Sequence, residues 1–263
     1  MMKEGGNLKV YILASGSKGN ITYLKVGNIK VFIDAGISYQ KIKKKMDAYG
    51  ESIDDVKALF LTHEHHDHTM GLLMLLKKGF LNDLFMTEGT YQALSDEIKS
   101  YIKNLHIIKA DQAFVYENLQ VTPFMISHDA KEPVGYVIKN GIKKIVHLTD
   151  TGYIDQGYHE LLENADLYVL ESNHNPAKLM ASPRPFLLKK RILSEKGHLS
   201  NEDACWLINR FVKTHAIWIA SHISEDCNSI LDIEEAIIKI FDDPTKIDIY
   251  YASQEGLPVI ELW

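Results

Sequence analysis

This sequence of 263 residues has few cysteines, no long apolar run and no excess of positive charge. Its two cysteines, Cys205 and Cys227, lie in separate segments and form no CxxC pair. No apolar run approaches the roughly 20 residues that a membrane-spanning helix needs. The apolar part of the N-terminal segment is too short for a signal peptide. We therefore expect a cytoplasmic protein with reduced thiols and no membrane association.

The net charge of −6 gives no global basic surface of the kind that nucleic-acid-binding domains carry. Two local basic clusters, at 41–45 and 187–191, are most simply interpreted as solvated surfaces. The composition, with 46% hydrophobic and 24% charged residues, is that of an ordinary globular protein. Because no long linker, low-complexity segment or repeat interrupts the chain, we predict a single domain over 1–263.

Strand-like and helix-like segments alternate in two halves, and each half begins with strands. The predicted strands are 9–14, 20–26, 29–34, 56–61, 119–127, 133–139, 143–150, 165–172, 215–221, 246–252 and 257–263. The predicted helices are 37–49, 71–79, 89–102, 156–163, 200–212 and 230–241. This order favours an α/β fold in which two sheets pack face to face with helices outside.

Five of the predicted strands end on a possible metal ligand. The five residues are Asp34, His63, His128, Asp150 and His222. A single such strand end is weak evidence for a metal site, because an Asp that caps a helix or a His on the surface would explain it equally well. Five endings, one of them within the dense run HEHHDH, indicate a metal site on loops that a rigid scaffold holds.

The run HEHHDH does not form the helical zinc motif HExxH, because Asp67 stands where the second histidine would be. His63 and His65 are two residues apart, so in an extended chain they face the same side. His66 then points away. Asp67 and His68 follow where the chain turns into a helix, so this second pair is expected to face a second ion.

The run HEHHDH, with Asp34 before it and His128, Asp150 and His222 after it, resembles the metallo-β-lactamase-fold hydrolases. The resemblance spans most of the chain and implies an αβ/βα four-layer sandwich with a two-metal site between the sheets. It implies that Asp34 orients a ligand from behind. The implied ligands are His63, His65 and His128 for one metal, Asp67, His68 and His222 for the other, and Asp150 for both.

The ligand types leave the metal open, because imidazole and carboxylate suit Zn²⁺, Mn²⁺ and Fe alike. No cysteine stands at a ligand position, which disfavours the site of true β-lactamases. His65 stands where the flavo-diiron branch has Glu, which disfavours a redox role. Two divalent ions can activate a water and clamp the attacking and leaving oxygens of phosphodiester, thioester or lactam hydrolysis. The site therefore predicts a hydrolase and leaves the substrate open.

Two further residues favour phosphodiester chemistry. Glu171 and His198 match positions that support catalysis in the phosphodiesterase branch of this superfamily, which includes the tRNA 3′-processing nucleases. The resemblance implies that a hydroxide held between the metals attacks phosphorus and that Asp67 and Asp150 position it. His198 would assist the developing charge, with Glu171 behind it.

The motifs SGSKGN, SHDAKEPVGY, TDTG, ESNHN and GHLSN look closest to the YycJ/WalJ-like subgroup, with which 5′→3′ exonuclease action on DNA is associated. The chain departs from that pattern at Cys227 and Asn228, where a pair of asparagines is usual. DNA is therefore the favoured partner. The candidate substrate contacts are Ser15, Ser17, Asn20, Asn173, His174, Lys190 and Arg191.

Two alternatives stay open from the sequence. The acidic overall charge would suit a small-molecule hydrolase, such as a thioesterase or a cyclic phosphodiesterase. A metal-binding module without catalytic activity would bind metal and turn over no ester. The intact set of ligands argues against this second alternative. The sequence makes no prediction of the oligomeric state.

Overall fold

The computed structural model describes residues 7–141 and 143–262, which form fourteen strands and ten α-helices. The strands are Leu8–Ala14 (β1), Ile21–Val26 (β2), Ile29–Ile33 (β3), Ala58–Phe60 (β4), Asp83–Thr87 (β5), Asn104–Ile108 (β6), Phe114–Tyr116 (β7), Leu119–Met125 (β8), Val134–Asn140 (β9), Lys143–Leu148 (β10), Leu167–Glu171 (β11), Ala216–Ser221 (β12), Ile247–Tyr251 (β13) and Ile260–Leu262 (β14).

The helices lie in the connections between these strands. They are Tyr39–Ala48 (α1), His66–Thr69 (α2), Leu72–Lys77 (α3), Glu88–Ala93 (α4), Asp96–Ser100 (α5), His159–Leu162 (α6), Pro176–Ala181 (α7), Phe186–Ile192 (α8), Asn201–Phe211 (α9) and Ile230–Ile240 (α10). None of them is long and apolar enough to cross a lipid bilayer.

The strands form two seven-stranded mixed sheets. The first has the order β14-β1-β2-β3-β4-β5-β6 and the second the order β13-β12-β11-β10-β9-β8-β7. In the first, β3 to β6 run parallel, and in the second β10 to β13 do. The C-terminal strand β14 returns to pair with β1, so Leu8 lies opposite Leu262.

Apolar side chains from both sheets meet in one central layer. Phe60 on β4 is fully buried there, and its ring lies 5.1 Å from that of Phe85 and 5.8 Å from that of Tyr136. The outer face of the first sheet packs against α1 and α3, and that of the second against α9 and α10. The predicted four-layer αβ/βα sandwich is thus confirmed.

Several elements differ from the sequence prediction. The helix predicted over 89–102 is two helices, because Ser95 starts a new one by accepting a hydrogen bond from the N–H of Ile98. The predicted start of α9 is confirmed, since the Ser200 side chain accepts from the N–H of Asp203. The strands β5, β6 and β7 and the helices α7 and α8 were not predicted.

Each of the five strand-end residues lies just beyond a strand, on a loop at the same edge of the sandwich. Asp34 follows β3 and His63 follows β4, while the others follow β8, β10 and β12. Backbone hydrogen bonds join these loops, for example from the N–H of Ala35 to the carbonyl oxygen of His68 at 2.8 Å. The fold therefore brings residues that are distant in sequence to one edge.

Replacing Phe60 with alanine removes a ring from the centre of the layer between the sheets. We expect the Phe60→Ala variant to lose roughly 3–5 kcal/mol of unfolding free energy, measured by urea denaturation. Val115, which is 70% exposed on β7, is the control. Val115→Ala should change stability by less than about 0.5 kcal/mol. A comparable loss in both variants would contradict the position of the core.

Candidate metal centre

Three imidazoles form a first group of possible ligands. The rings of His63 and His65 lie 4.7 Å apart, and that of His128 lies 5.1 Å from the first and 5.0 Å from the second. Each of the three offers a nitrogen within 4.8 Å of the others. The sequence predicted that His63 and His65 face the same side and that His66 points away from them. The structure agrees, since His66 is exposed to solvent.

Hydrogen bonds on the far sides of two rings fix which nitrogen faces inward. Nδ1 of His128 lies 3.3 Å from the carbonyl oxygen of Gly197, to which it can only donate. Nδ1 of His63 lies 3.0 Å from the hydroxyl of Thr62. With Nδ1 protonated, Nε2 of each ring keeps a lone pair directed into the group, as metal-binding histidines require.

A second group combines two carboxylates with two imidazoles, and Asp150 is its centre. One Asp150 oxygen lies 3.2 Å from Nε2 of His68, and the other lies 3.3 Å from Nε2 of His222. Asp67 completes the group, 3.7 Å from His68 and 3.9 Å from His222. Nδ1 of His222 in turn contacts the Asn173 amide at 3.0 Å.

Asp34 lies behind this second group. Its carboxylate accepts hydrogen bonds from the Thr62 N–H at 2.8 Å and from the Thr62 hydroxyl at 2.9 Å. It also lies 2.8 Å from Nδ1 of His68, a contact that directs the His68 Nε2 toward Asp67 and Asp150. This is the carboxylate–histidine arrangement that orients metal ligands in proteins.

The two groups differ in their electrostatics. Burial and the neighbouring His68 hold the pKa of His63 well below its usual value, and burial also lowers the pKa of His128. Burial lowers the pKa of His222 as well, but the Asp150 and Asp67 carboxylates outweigh it and raise that pKa to about 9. His63 and His128 are therefore neutral near pH 7, which is the state that ligates a metal.

Several inward-facing atoms of the two groups lack a hydrogen-bond partner. Nε2 of His63 is buried and has none among the described residues. Nε2 of His222 and one Asp150 oxygen lie within 3.3 Å of an oppositely charged group, but neither forms a hydrogen bond with it. A buried polar atom without a partner costs about 1–3 kcal/mol. Nitrogen and carboxylate donors that converge in this way fit a divalent transition-metal ion. The residues present therefore fit divalent-metal binding.

The backbone is strained at three of these positions. Asp34, Asp150 and His222 have φ angles of 62°, 57° and 50°, in the left-handed region that residues other than glycine rarely adopt. Such conformations persist where the surrounding structure forces them, and they cluster at functional sites. Each turns the chain sharply at a strand end and aims the side chain into the cluster.

Glu171 and His198 form a pair beside the second group. Nδ1 of His198 lies 3.0 Å from one oxygen of the fully buried Glu171. The other oxygen accepts hydrogen bonds from the N–H groups of Thr151 at 2.6 Å and Leu199 at 3.3 Å. Glu171, His198 and His222 also lie close enough together to form a third possible ligand set.

The loop over 15–20, which follows β1 of the first sheet, forms hydrogen bonds with residues of the candidate metal centre. The Ser15 hydroxyl accepts a hydrogen bond from the His222 N–H at 2.7 Å. The Asn20 amide lies 3.3 Å from Asp67 and 3.1 Å from Nε2 of His68. A Cβ on Gly36 would lie 1.7 Å from the carbonyl oxygen of Asp67, so only glycine permits this packing.

Of the other residues predicted to contact substrate, some are buried, some are exposed and one is held in an ion pair. Asn173 is buried against His222, and His174 is also buried, which lowers the pKa of His174 to about 4. Both are therefore beneath the surface. Ser17 and Lys190 are exposed. Arg191 forms two contacts with the Asp129 carboxylate, at 2.5 Å and 2.9 Å.

Sequence reasoning missed three residues that hold the ligands in place. Thr62 joins Asp34 to His63, and Gly197 accepts from His128 through its carbonyl oxygen. Asp129 follows His128 and binds Arg191. Thr62 and Asp129 could have been found from the sequence, because each is the immediate neighbour of a ligand histidine. The role of Gly197 could not, because its contact is made by a backbone carbonyl oxygen, which every residue has.

Comparison with known proteins agrees with this geometry. The model of the Beta-lactamase superfamily domain matches residues 30–223. The exodeoxyribonuclease WalJ of Streptococcus pneumoniae is 36% identical over 86% of this chain and 85% of its own length. The exodeoxyribonuclease YycJ of Bacillus anthracis is 34% identical over 82% of this chain and 83% of its own.

Solved structures show the same fold at much lower identity. The metallo-β-lactamase-fold protein YhfI from Bacillus subtilis superposes with a TM-score of 0.73 at 17% identity. The match covers 97% of this chain and 99% of that one. With the family match, the two sheets and the His/Asp cluster at their edge, this chain belongs to the metallo-β-lactamase superfamily.

Proposed function

We propose that this protein is a metal-dependent phosphodiesterase that degrades DNA from the 5′ end. The observation that carries the proposal is the arrangement of two ligand groups around Asp150, with the Glu171–His198 pair beside them. The relatives named exodeoxyribonucleases, which align over most of the chain, support the choice of substrate.

Each ligand group would hold one divalent ion. His63, His65 and His128 would hold the first, and Asp150 would contribute to both. Asp67, His68 and His222 would hold the second. Bound there, two ions would supply a water nucleophile at neutral pH and offset the negative charge of the phosphate. Zinc, manganese and iron all suit these donors.

His198 would act on the leaving side of the phosphate. Its Nδ1 donates to Glu171, so the ring is held in one orientation and Nε2 is left to face a substrate. As the imidazolium, which carries a proton on each nitrogen, it would donate from Nε2 a hydrogen bond to a phosphate oxygen or a proton to the leaving oxygen. Glu171 is itself fixed by two backbone N–H groups, so its contribution is positioning.

The predicted single domain over 1–263 and the predicted cytoplasmic location stay predictions. Ser15, Asn20 and Asn173 would serve the site by holding ligands, since their polar atoms contact His222, Asp67 or His68. Lys190 is exposed and would contact phosphate directly. Arg191 would first have to leave Asp129.

The direct test is to purify the protein with Mn²⁺ or Zn²⁺ and to offer it three substrates. These are a single-stranded DNA with a 5′ phosphate, a small phosphodiester and a thioester. We expect nucleotides to be released from the 5′ end of the DNA and the activity to disappear with a chelator. Thioester turnover without phosphodiester cleavage would establish the small-molecule alternative. Metal binding without any turnover would establish the non-catalytic one.

Asp34 offers a test of the metal centre that does not depend on activity. In Asp34→Asn the new amide cannot accept from both Thr62 and His68 as the carboxylate does. We expect metal affinity, measured by calorimetry, to fall by about 10- to 100-fold. Asp54→Asn is the control, because Asp54 is exposed and precedes β4, at the opposite end of that strand from His63. Unchanged affinity in Asp34→Asn would refute its orienting role.

The role of His198 predicts a separation of metal binding from turnover. We expect His198→Ala to retain its metal content, measured by mass spectrometry, and to lose about 10²- to 10⁴-fold in DNA turnover. The control is His215→Ala, because His215 is exposed before β12, at the opposite end of that strand from His222. If His198→Ala lost metal, His198 would belong to the third ligand set instead.

A further inference from the structure

A cleft of about 340 Å³ opens directly beside the first ligand group. His128 forms part of its wall, so the cleft is continuous with the candidate metal centre. The loop that follows β8 forms one side, and the segments around Tyr153 and Lys196 form the other. A substrate bound at the metals would extend into this cleft.

Two lysines in the cleft have no acidic partner. Lys131 and Lys196 are exposed, and neither ammonium group contacts a carboxylate among the residues of 7–141 and 143–262. Asp155 also lines the cleft, and its carboxylate accepts the N–H of Gly157 at the start of a short 3₁₀ helix. The lining therefore has two lysines and one carboxylate, a local excess of positive charge in a chain with a net charge of −6, and this excess fits a polyanionic ligand.

Tyr153 gives the same cleft an aromatic surface. It is 45% exposed and stands between this cleft and a second one of about 240 Å³ that Trp206 lines. Its backbone is fixed, because the Thr151 hydroxyl donates to its carbonyl oxygen at 2.7 Å. The preceding Gly152 packs so closely that a Cβ would lie 2.3 Å from the carbonyl oxygen of Ser194.

We propose that this cleft is a nucleotide subsite for single-stranded DNA, in which one base stacks on Tyr153. The phosphates on either side of that nucleotide contact Lys131 and Lys196. The inference rests on the proposed function, since it places the DNA chain next to His128. An aromatic ring beside unpaired cations is the combination that single-stranded nucleic acid needs, because a base in a single strand presents a free face.

The test measures binding of a labelled thymidine oligonucleotide of twelve residues to the full chain with its metals, by fluorescence anisotropy. Phosphorothioate linkages keep the oligonucleotide from being cleaved. We expect Tyr153→Ala to weaken binding about tenfold and Tyr153→Phe, which keeps the ring, to restore it. The control is Tyr101→Ala. Tyr101 is similarly exposed, at 43%, but it precedes β6 and so lies at the end of the first sheet opposite to the candidate metal centre.

An abasic oligonucleotide of the same length separates stacking from a general structural effect. Because it has phosphates but no bases, Tyr153→Ala should bind it as tightly as the unchanged protein does. An equal loss on both oligonucleotides, or no loss on either, would overturn the subsite.

The two lysines are tested by the salt dependence of binding. Lys131→Gln and Lys196→Gln should weaken binding of both oligonucleotides. Each should reduce the slope of log affinity against log salt by about 0.7. Lys139→Gln is the matched control, because Lys139 is also exposed but lies opposite Lys144, at the other end of β10 from Asp150. A reduction as large in Lys139→Gln would refute the specific role of the other two.

Cleavage of an unmodified oligonucleotide by the unchanged protein distinguishes the two proposals. If the protein binds DNA through Tyr153 but cleaves no phosphodiester, the proposed function fails and the subsite stands. If it cleaves DNA but its affinity does not depend on Tyr153, only the subsite fails. Absence of both binding and cleavage would overturn both.

Discussion

The Asp150 carboxylate is fully enclosed between the two ligand groups, with its oxygens 3.2 Å from His68 and 3.3 Å from His222. A buried charge is strongly unfavourable unless opposite charges or metal ions surround it. Burial raises the pKa of this carboxyl, but the neighbouring imidazoles outweigh it and hold the pKa well below its usual range. The surrounding residues therefore have to converge on Asp150, and the arrangement of the loops follows from that requirement.

The sheets provide the rigidity that this convergence demands. Asp34, Asp150 and His222 each adopt a left-handed backbone conformation directly after a buried strand, at roughly 1–3 kcal/mol each. Contacts between loops support that strain, such as the hydrogen bond from the His222 N–H to the Ser15 hydroxyl. The close approach of Gly36 to Asp67 acts in the same way. The central apolar layer therefore serves the site by fixing the ends of its strands.

The net charge of the chain does not show where its positive side chains lie. The chain is acidic overall, yet Lys131, Lys190 and Lys196 have no acidic partner among the described residues, and two of them line the cleft beside His128. Arg191, by contrast, is held by Asp129. Divalent ions in the two ligand groups would add further positive charge at the same edge. With those ions bound, a polyanion would meet the two lysines of the cleft beside a cationic metal centre.

The sequence by itself determined the two ligand groups of HEHHDH, because alternation in an extended segment followed by a helical turn is a local property. The alternation of strands and helices favoured two sheets packed face to face, and the resemblance carried by the ligand motifs added the four-layer sandwich, although β5, β6, β7, α7 and α8 were not predicted. Only the tertiary structure decided that β14 returns to β1, that Asn173 lies beneath the surface, and that Lys131 and Lys196 line one cleft with Tyr153. These features depend on pairing and packing between segments far apart in the chain, which no local pattern of residues encodes.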